Sequence, residues 1–201
     1  MKTGNRGLQT MEINVKKIAV ILPGIGYHKD KPLLYYGIRI ASNMGYEIHC
    51  MEYHDMPQKI KGDAQMMQKA AEMAYEQTCA QLEEIKFDEY DNILFISKSI
   101  GTVVSAKYVA EHKLNAGQIW YTPVEATLSF GAKDVVSFIG EKDPWSDVKT
   151  VINIAKEQGI VLYSYSDCNH SLECDDVDRN IEILGDVMKK TREYISLIRG
   201  Q

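Results

Sequence analysis

Short, almost wholly apolar runs alternate with longer amphipathic segments along most of the chain, and this alternation is what most narrows its possible folds. Lys17–Leu22 is a continuous apolar run broken by Pro23-Gly24, the pattern of a parallel strand buried on both faces. Pro32, with Asp30 just ahead of it, opens a helix predicted to reach about Asn43 and to stop near Gly45. Tyr46–Glu52 reads as a second strand. Asp63 is placed to cap a long helix extending to about Lys86. Strand Asn92–Ser97 and helix Ile100–Glu111 follow, then a short strand Gln118–Tyr121. Strand Asp134–Ile139 precedes helix Ser146–Glu157, and strand Ile160–Tyr165 precedes a last helix from about Asp176 to Ile198.

Strands alternating with helices imply an α/β protein: a three-layer αβα sandwich around a mostly parallel central sheet. Met67, Ala71, Ala74, Thr78, Leu82 and Ile85 are spaced as one face of the long helix, and this Met-rich stripe is read as core or groove packing. Ile181, Leu184, Val187, Thr191, Tyr194 and Ile198 form the stripe expected to be buried on the last helix.

The 201 residues suffice for one core, and no repeat or linker divides them, so residues 11–201 are expected to form a single domain. Met1–Thr10 is polar and expected to be loosely held, with Met11 an alternative start. The segment lacks the apolar stretch of a signal peptide, and no apolar run is long enough to span a bilayer. A cytoplasmic protein without membrane insertion is therefore expected, with Cys50, Cys79, Cys168 and Cys174 as free thiols. A net charge of −5 argues against nucleic acid as partner.

In folds of this kind ligands bind at the carboxyl ends of the strands. Four strand ends carry suggestive residues: Pro23-Gly24-Ile25-Gly26-Tyr27, then Ser97-Lys98-Ser99-Ile100-Gly101, then Gly140-Glu141-Lys142-Asp143-Pro144, then Asp167-Cys168-Asn169-His170-Ser171. Ser99 lies between a strand and a helix, with small residues two before and two after it, as a nucleophile elbow requires.

The chain order Ser, Asp, His at these strand ends resembles the α/β-hydrolase family over about residues 17–200. The resemblance implies a compact α/β-hydrolase fold in which the two antiparallel strands that often open it are largely missing. It casts Ser99 as nucleophile, His170 as base and Asp143 as the acid that orients the imidazole. The backbone N–H groups of Ile100 and Ile25 would form the oxyanion hole, with Gly26 as a second candidate for the latter. Tyr27, His28, Lys98, Thr122, Pro123 and Trp145 are candidates to line the pocket, as are Tyr35 and Tyr36. No long insertion follows Pro123, where many relatives carry a lid, so an open pocket for a small or protruding acyl group is expected.

Each element also has a plainer reading. Ser99 could be a helix cap, Asp143-Pro144 a turn, the glycines of residues 23–26 a simple bend and His170 a loop residue. Glu141 rivals Asp143 as the acid. Ser97 stands where glycine is commoner, and the Lys98 cation either meets an acidic substrate or points away. Cys168, His170 and Cys174 lack the spacing of a usual zinc set, and Gly24 and Gly26 do not complete a dinucleotide fingerprint because residue 29 is Lys. The expected function is hydrolysis of a carboxylic ester, thioester or related acyl bond in a small molecule, with no cofactor or metal. The alternatives are a non-catalytic binding or regulatory protein on the same scaffold, or an acyltransferase.

Overall fold

The computed structural model describes residues 15–198, so the expectations for Met1–Thr10 and Met11 lie outside the described residues. Six strands form one sheet in the order β2-β1-β3-β4-β5-β6, and every pairing among the described residues is parallel. They are β1 Lys17–Leu22, β2 Glu47–Cys50, β3 Asn92–Lys98, β4 Gly117–Tyr121, β5 Val135–Gly140 and β6 Val161–Tyr165. The helices between them are α1 Pro32–Asn43, α2 Ala64–Leu82, α3 Ile100–Glu111, α4 Val148–Glu157 and α5 Val177–Leu197.

Central position explains composition. All seven residues of β3 are buried, as are all five of β4, because helices cover both faces. β2 and β6 are the sheet edges and remain partly exposed. Alternate residues feed different layers. Ala19 and Ile21 pack with Leu33 and Ile40 of α1 and Ile183 and Val187 of α5. Ile18 and Val20 pack on the other face with Ala74 of α2 and Val104 of α3. α3 lies against the middle of the sheet and is buried over most of its length, Thr102 and Ser105 included.

Asp63, Asp147 and Asp176 cap α2, α4 and α5 with their carboxylates. α1 starts on Pro32 without a side-chain cap, and Asp30 instead faces His28. α2 ends at Leu82, short of Lys86, with a 3-10 turn at Phe87–Glu89 beyond it. In α5 the buried line is Ile183, Val187, Thr191 and Ile195, while Ile181 is 64% exposed. Two three-residue steps back from Val187 rotate about 120° around a helix, which carries Ile181 off the packed face.

After β1 the chain turns outward to β2, then crosses back past β1 to β3 and continues to the far edge. The order therefore reverses between β1 and β3. The chain leaves their carboxyl ends toward opposite faces, which opens a crevice there.

Candidate active site

Ser99 follows β3 with φ 55° and ψ −124°, a conformation that L-residues rarely adopt. Its surroundings hold it there. The Ser99 N–H donates to the Tyr121 carbonyl at 3.0 Å, and the Thr102 hydroxyl donates to the Ser99 carbonyl at 2.6 Å. The helix then passes directly over the end of β1: a Cβ at Gly101 would lie 2.4 Å from the Leu22 carbonyl oxygen. Gly24 is constrained in the same way, since a Cβ there would lie 3.0 Å from Cβ of Ser99. Ser97 substitutes for glycine without leaving its hydroxyl idle. That hydroxyl is buried, donates to the Ile119 carbonyl at 3.1 Å and lies 3.0 Å from Oγ of Ser105.

Three loops bring the polar residues together at this point. His170 Nε2 lies 2.7 Å from Oγ of Ser99, and His170 Nδ1 lies 2.6 Å from Oδ2 of Asp143. An ionised carboxylate can only accept, so Nδ1–H donates to Asp143 and Nε2 is left free to accept from the serine hydroxyl. The Asp143 side chain is fully buried, and its Oδ1 accepts from the Trp145 N–H at 2.9 Å. The Trp145 ring stacks on the imidazole, with centroids 5.5 Å apart and planes at 27°. Glu141 is exposed and accepts from the Ser164 hydroxyl, away from His170. Asp143 also closes a turn, its N–H donating to the Gly140 carbonyl, so the turn and the carboxylate contact coexist.

The site is poised electrostatically. Burial holds the His170 imidazole below its ordinary pKa; the bond to Asp143 opposes this, and the Lys98 and Lys61 cations reinforce it. Lys98 itself is 1% exposed. Its Nζ lies 4.8 Å from the centroid of the Tyr27 ring. Burial pushes its pKa down to about 7, against the attraction of Asp143.

A cavity of about 730 Å³ opens at Ser99 and runs between α2, α3 and a 3-10 turn at Glu125–Phe130. Ile25, Ile100, Trp145 and His170 line the end at Ser99. The pocket expectations need correction here. Tyr27 and Thr122 are buried in the core, as is Pro123, and Lys98 lies beneath the site; none of these lines the cavity. His28 is on the surface, and Tyr35 and Tyr36 are exposed on α1, edge to face with each other. Of the eight residues placed at the pocket, only Trp145 lines the cavity. The walls include Ile60, Met67, Ala71, Val103, Val104 and Phe130, residues whose only sequence signal is helical or apolar spacing, together with the polar Gln68, Glu72, Glu125 and Ser129. Gly26 turns the loop at φ 73° and does not line the cavity, whereas Ile25 does.

Among the described residues, no group of three or more His, Cys, Asp or Glu side chains is placed to hold a metal ion. Cys168 is buried, and Cys174 Sγ faces the Asp176 carbonyl. No helix among the described residues is long and apolar enough to cross a membrane.

No family model and no curated protein matches the chain. Solved structures do match it over most of its length. An α-β serine hydrolase homologue from Coxiella burnetii is 16% identical with a TM-score of 0.63, covering 89% of this chain and 87% of that one. Est1E from Butyrivibrio proteoclasticus, solved with ferulic acid bound, is 11% identical with a TM-score of 0.65, covering 90% and 89%. The Pyrococcus furiosus esterase Pf2001 is 13% identical with a TM-score of 0.65, covering 93% and 84%. With the parallel sheet described above, these likenesses show that the chain has the compact α/β-hydrolase fold. The neighbours are hydrolases and esterases by description.

Proposed function

We propose that this protein is a serine hydrolase that cleaves a carboxylic ester, thioester or related acyl bond through an acyl-enzyme. The observation that carries this reading is the relay Ser99–His170–Asp143, at 2.7 and 2.6 Å, with the serine on a strained turn at the mouth of a cavity.

The steps follow from the geometry. Ser99 Oγ attacks the acyl carbon while its proton passes to His170 Nε2. Asp143 keeps Nδ1 protonated and stabilises the resulting imidazolium. The oxyanion is held by the N–H of Ile100, at the start of α3 where helix amides have no intrahelical acceptor, and by the N–H of Ile25 or Gly26. The intermediate collapses, the bond from the acyl carbon to the leaving group breaks, and the alcohol or thiol departs with the proton from Nε2. Water then attacks the acyl-serine, giving a proton to Nε2, and Ser99 recovers it as the acid leaves. The cycle uses only this chain's groups and water. We place this reaction in the reducing cytoplasm, where the four free cysteines would persist as thiols.

A fluorophosphonate probe followed by mass spectrometry tests the reading. Modification of Ser99, absent in Ser99→Ala, supports an activated serine. Folded protein that takes up no probe and hydrolyses no acyl ester would overturn it in favour of a binding protein on this scaffold.

A further inference from the structure

The cavity has a shape that the relay does not require. From Ser99 it follows one face of α3, lined in turn by Ile100, Val103, Val104 and Lys107. The facing wall is a parallel stripe of α2, with Met67, Ala71 and Tyr75 at four-residue spacing. Lys107 stands eight positions beyond Ser99, a helical run of about 12 Å that matches an extended hydrocarbon chain of roughly eight carbons. Up to that point Met67, Ala71, Ile100, Val103 and Val104 give the walls an apolar stripe, with Gln68 and Glu72 of α2 and Glu125 and Ser129 of the 3-10 turn also lining the cavity.

The far end is polar and closed upon itself. Lys107 Nζ lies 3.9 Å from the Tyr75 ring centroid and 3.9 Å from Oε1 of Glu111. The Tyr75 hydroxyl also donates to Glu111. The lysine charge is thus met by Glu111 and does not wait for an anionic ligand. A methyl terminus arriving here meets an ion pair and a phenol.

We infer that the groove between α2 and α3 is an acyl-chain site, and that the preferred substrates carry a straight, uncharged acyl chain of medium length. This rests on the serine hydrolase reading of Ser99. Direction follows from the relay: the leaving group must depart beside His170, which protonates it, and His170 sits with Trp145 at the opposite end from Lys107. The acyl tail therefore takes the α2–α3 end. The ion pair of Lys107 and Glu111 sets the length limit.

The test is a series of p-nitrophenyl esters from acetate to dodecanoate, all with one leaving group, with a matched series of alkyl acetates. kcat/KM on the acyl series should rise by up to about fourfold per methylene to roughly octanoate and then stop rising. The alkyl acetates should show no comparable climb. Ala71→Trp, which fills the groove midway, should lower the octanoate-to-acetate ratio at least tenfold. Val103→Phe should do the same from the other wall and serves if the first variant does not fold. An acyl series that is flat or falls beyond butyrate while the probe still modifies Ser99 overturns the acyl-chain site and leaves the hydrolase reading standing. A climb that follows the alcohol overturns the direction. Neither modification nor turnover at any length removes both.

Discussion

The two ends of one cavity are built on different physics. At the relay end, Ser99, His170 and Asp143 come from three separate strand-end loops, and each meets its partner within 2.7 Å. At the groove end, two helices supply Met67, Ala71, Val103 and Val104, with no hydrogen bond among their side chains to fix them. Proton transfer is directional, so displacing one group by an ångström disables it. Hydrocarbon burial depends on area and tolerates exchange of one apolar side chain for another. The relay should therefore fail sharply under substitution, and the groove should retune gradually.

The largest effects belong at the relay. Ser99→Ala or His170→Ala should lower kcat by about 10⁴–10⁶, and the double variant by little more, because the groups act as a unit. Steady-state kinetics on one ester would check this, and additive losses would break the relay. Asp143→Asn should cost about 10³–10⁴, since Oδ1 keeps the Trp145 N–H and the amide NH2 then donates to Nδ1, which leaves the imidazole proton on Nε2 where it cannot accept from Ser99. Glu141→Gln should stay close to the parent enzyme, because that carboxylate faces Ser164. Near-normal Asp143→Asn with inactive Glu141→Gln would reassign the acid.

Met67→Leu should change octanoate turnover by less than about threefold, as a near volume-conserving exchange in a groove wall. A loss as large as that of Asp143→Asn would erase the contrast between the two ends.

The smallest effect concerns pH. His170 must be neutral to accept the serine proton, and burial holds its pKa below the ordinary imidazole value, so activity should persist to a lower pH than an exposed histidine would allow. Lys98 is a cation on the acid side of about 7 and adds to that depression. Lys98→Met should therefore move the acid limb of kcat/KM upward in pH, and an unmoved limb would show that the ammonium does not act on His170. Stability provides a separate check. From about 7 to the ordinary lysine range, the unfolded chain holds a proton at Lys98 that the folded chain has lost. Stability of the parent should rise with pH across that window, through this group, and denaturant titration of Lys98→Met should show a smaller rise.

Lys98 also marks the limit of what can be read from residue order. Its place beside Ser99 suggested a pocket residue, but a strand alternates its faces, and the ring of Tyr27 covers the ammonium. Only the fold reveals that neighbour, which lies 71 positions away in the chain. Thr122 and Pro123 went the same way: both follow β4, and both ended in the core.

The sequence by itself determined the order of strands and helices, because burial on two faces forces continuous apolar runs and burial on one forces helical stripes. It also marked Ser99, Asp143 and His170 as candidates, because a hydroxyl, a carboxylate and an imidazole stand at the ends of strands, where ligands bind in folds of this kind. Tertiary structure alone decided that these three meet within hydrogen-bonding distance and that Asp143, not Glu141, faces the imidazole. It also decided where the cavity runs. A groove wall asks only for apolar surface at the right place, and Met67, Ala71 and Val103 have the same spacing as any core stripe. What distinguishes them is the gap left between α2 and α3, a property of how two helices pack and not of either helix's residues.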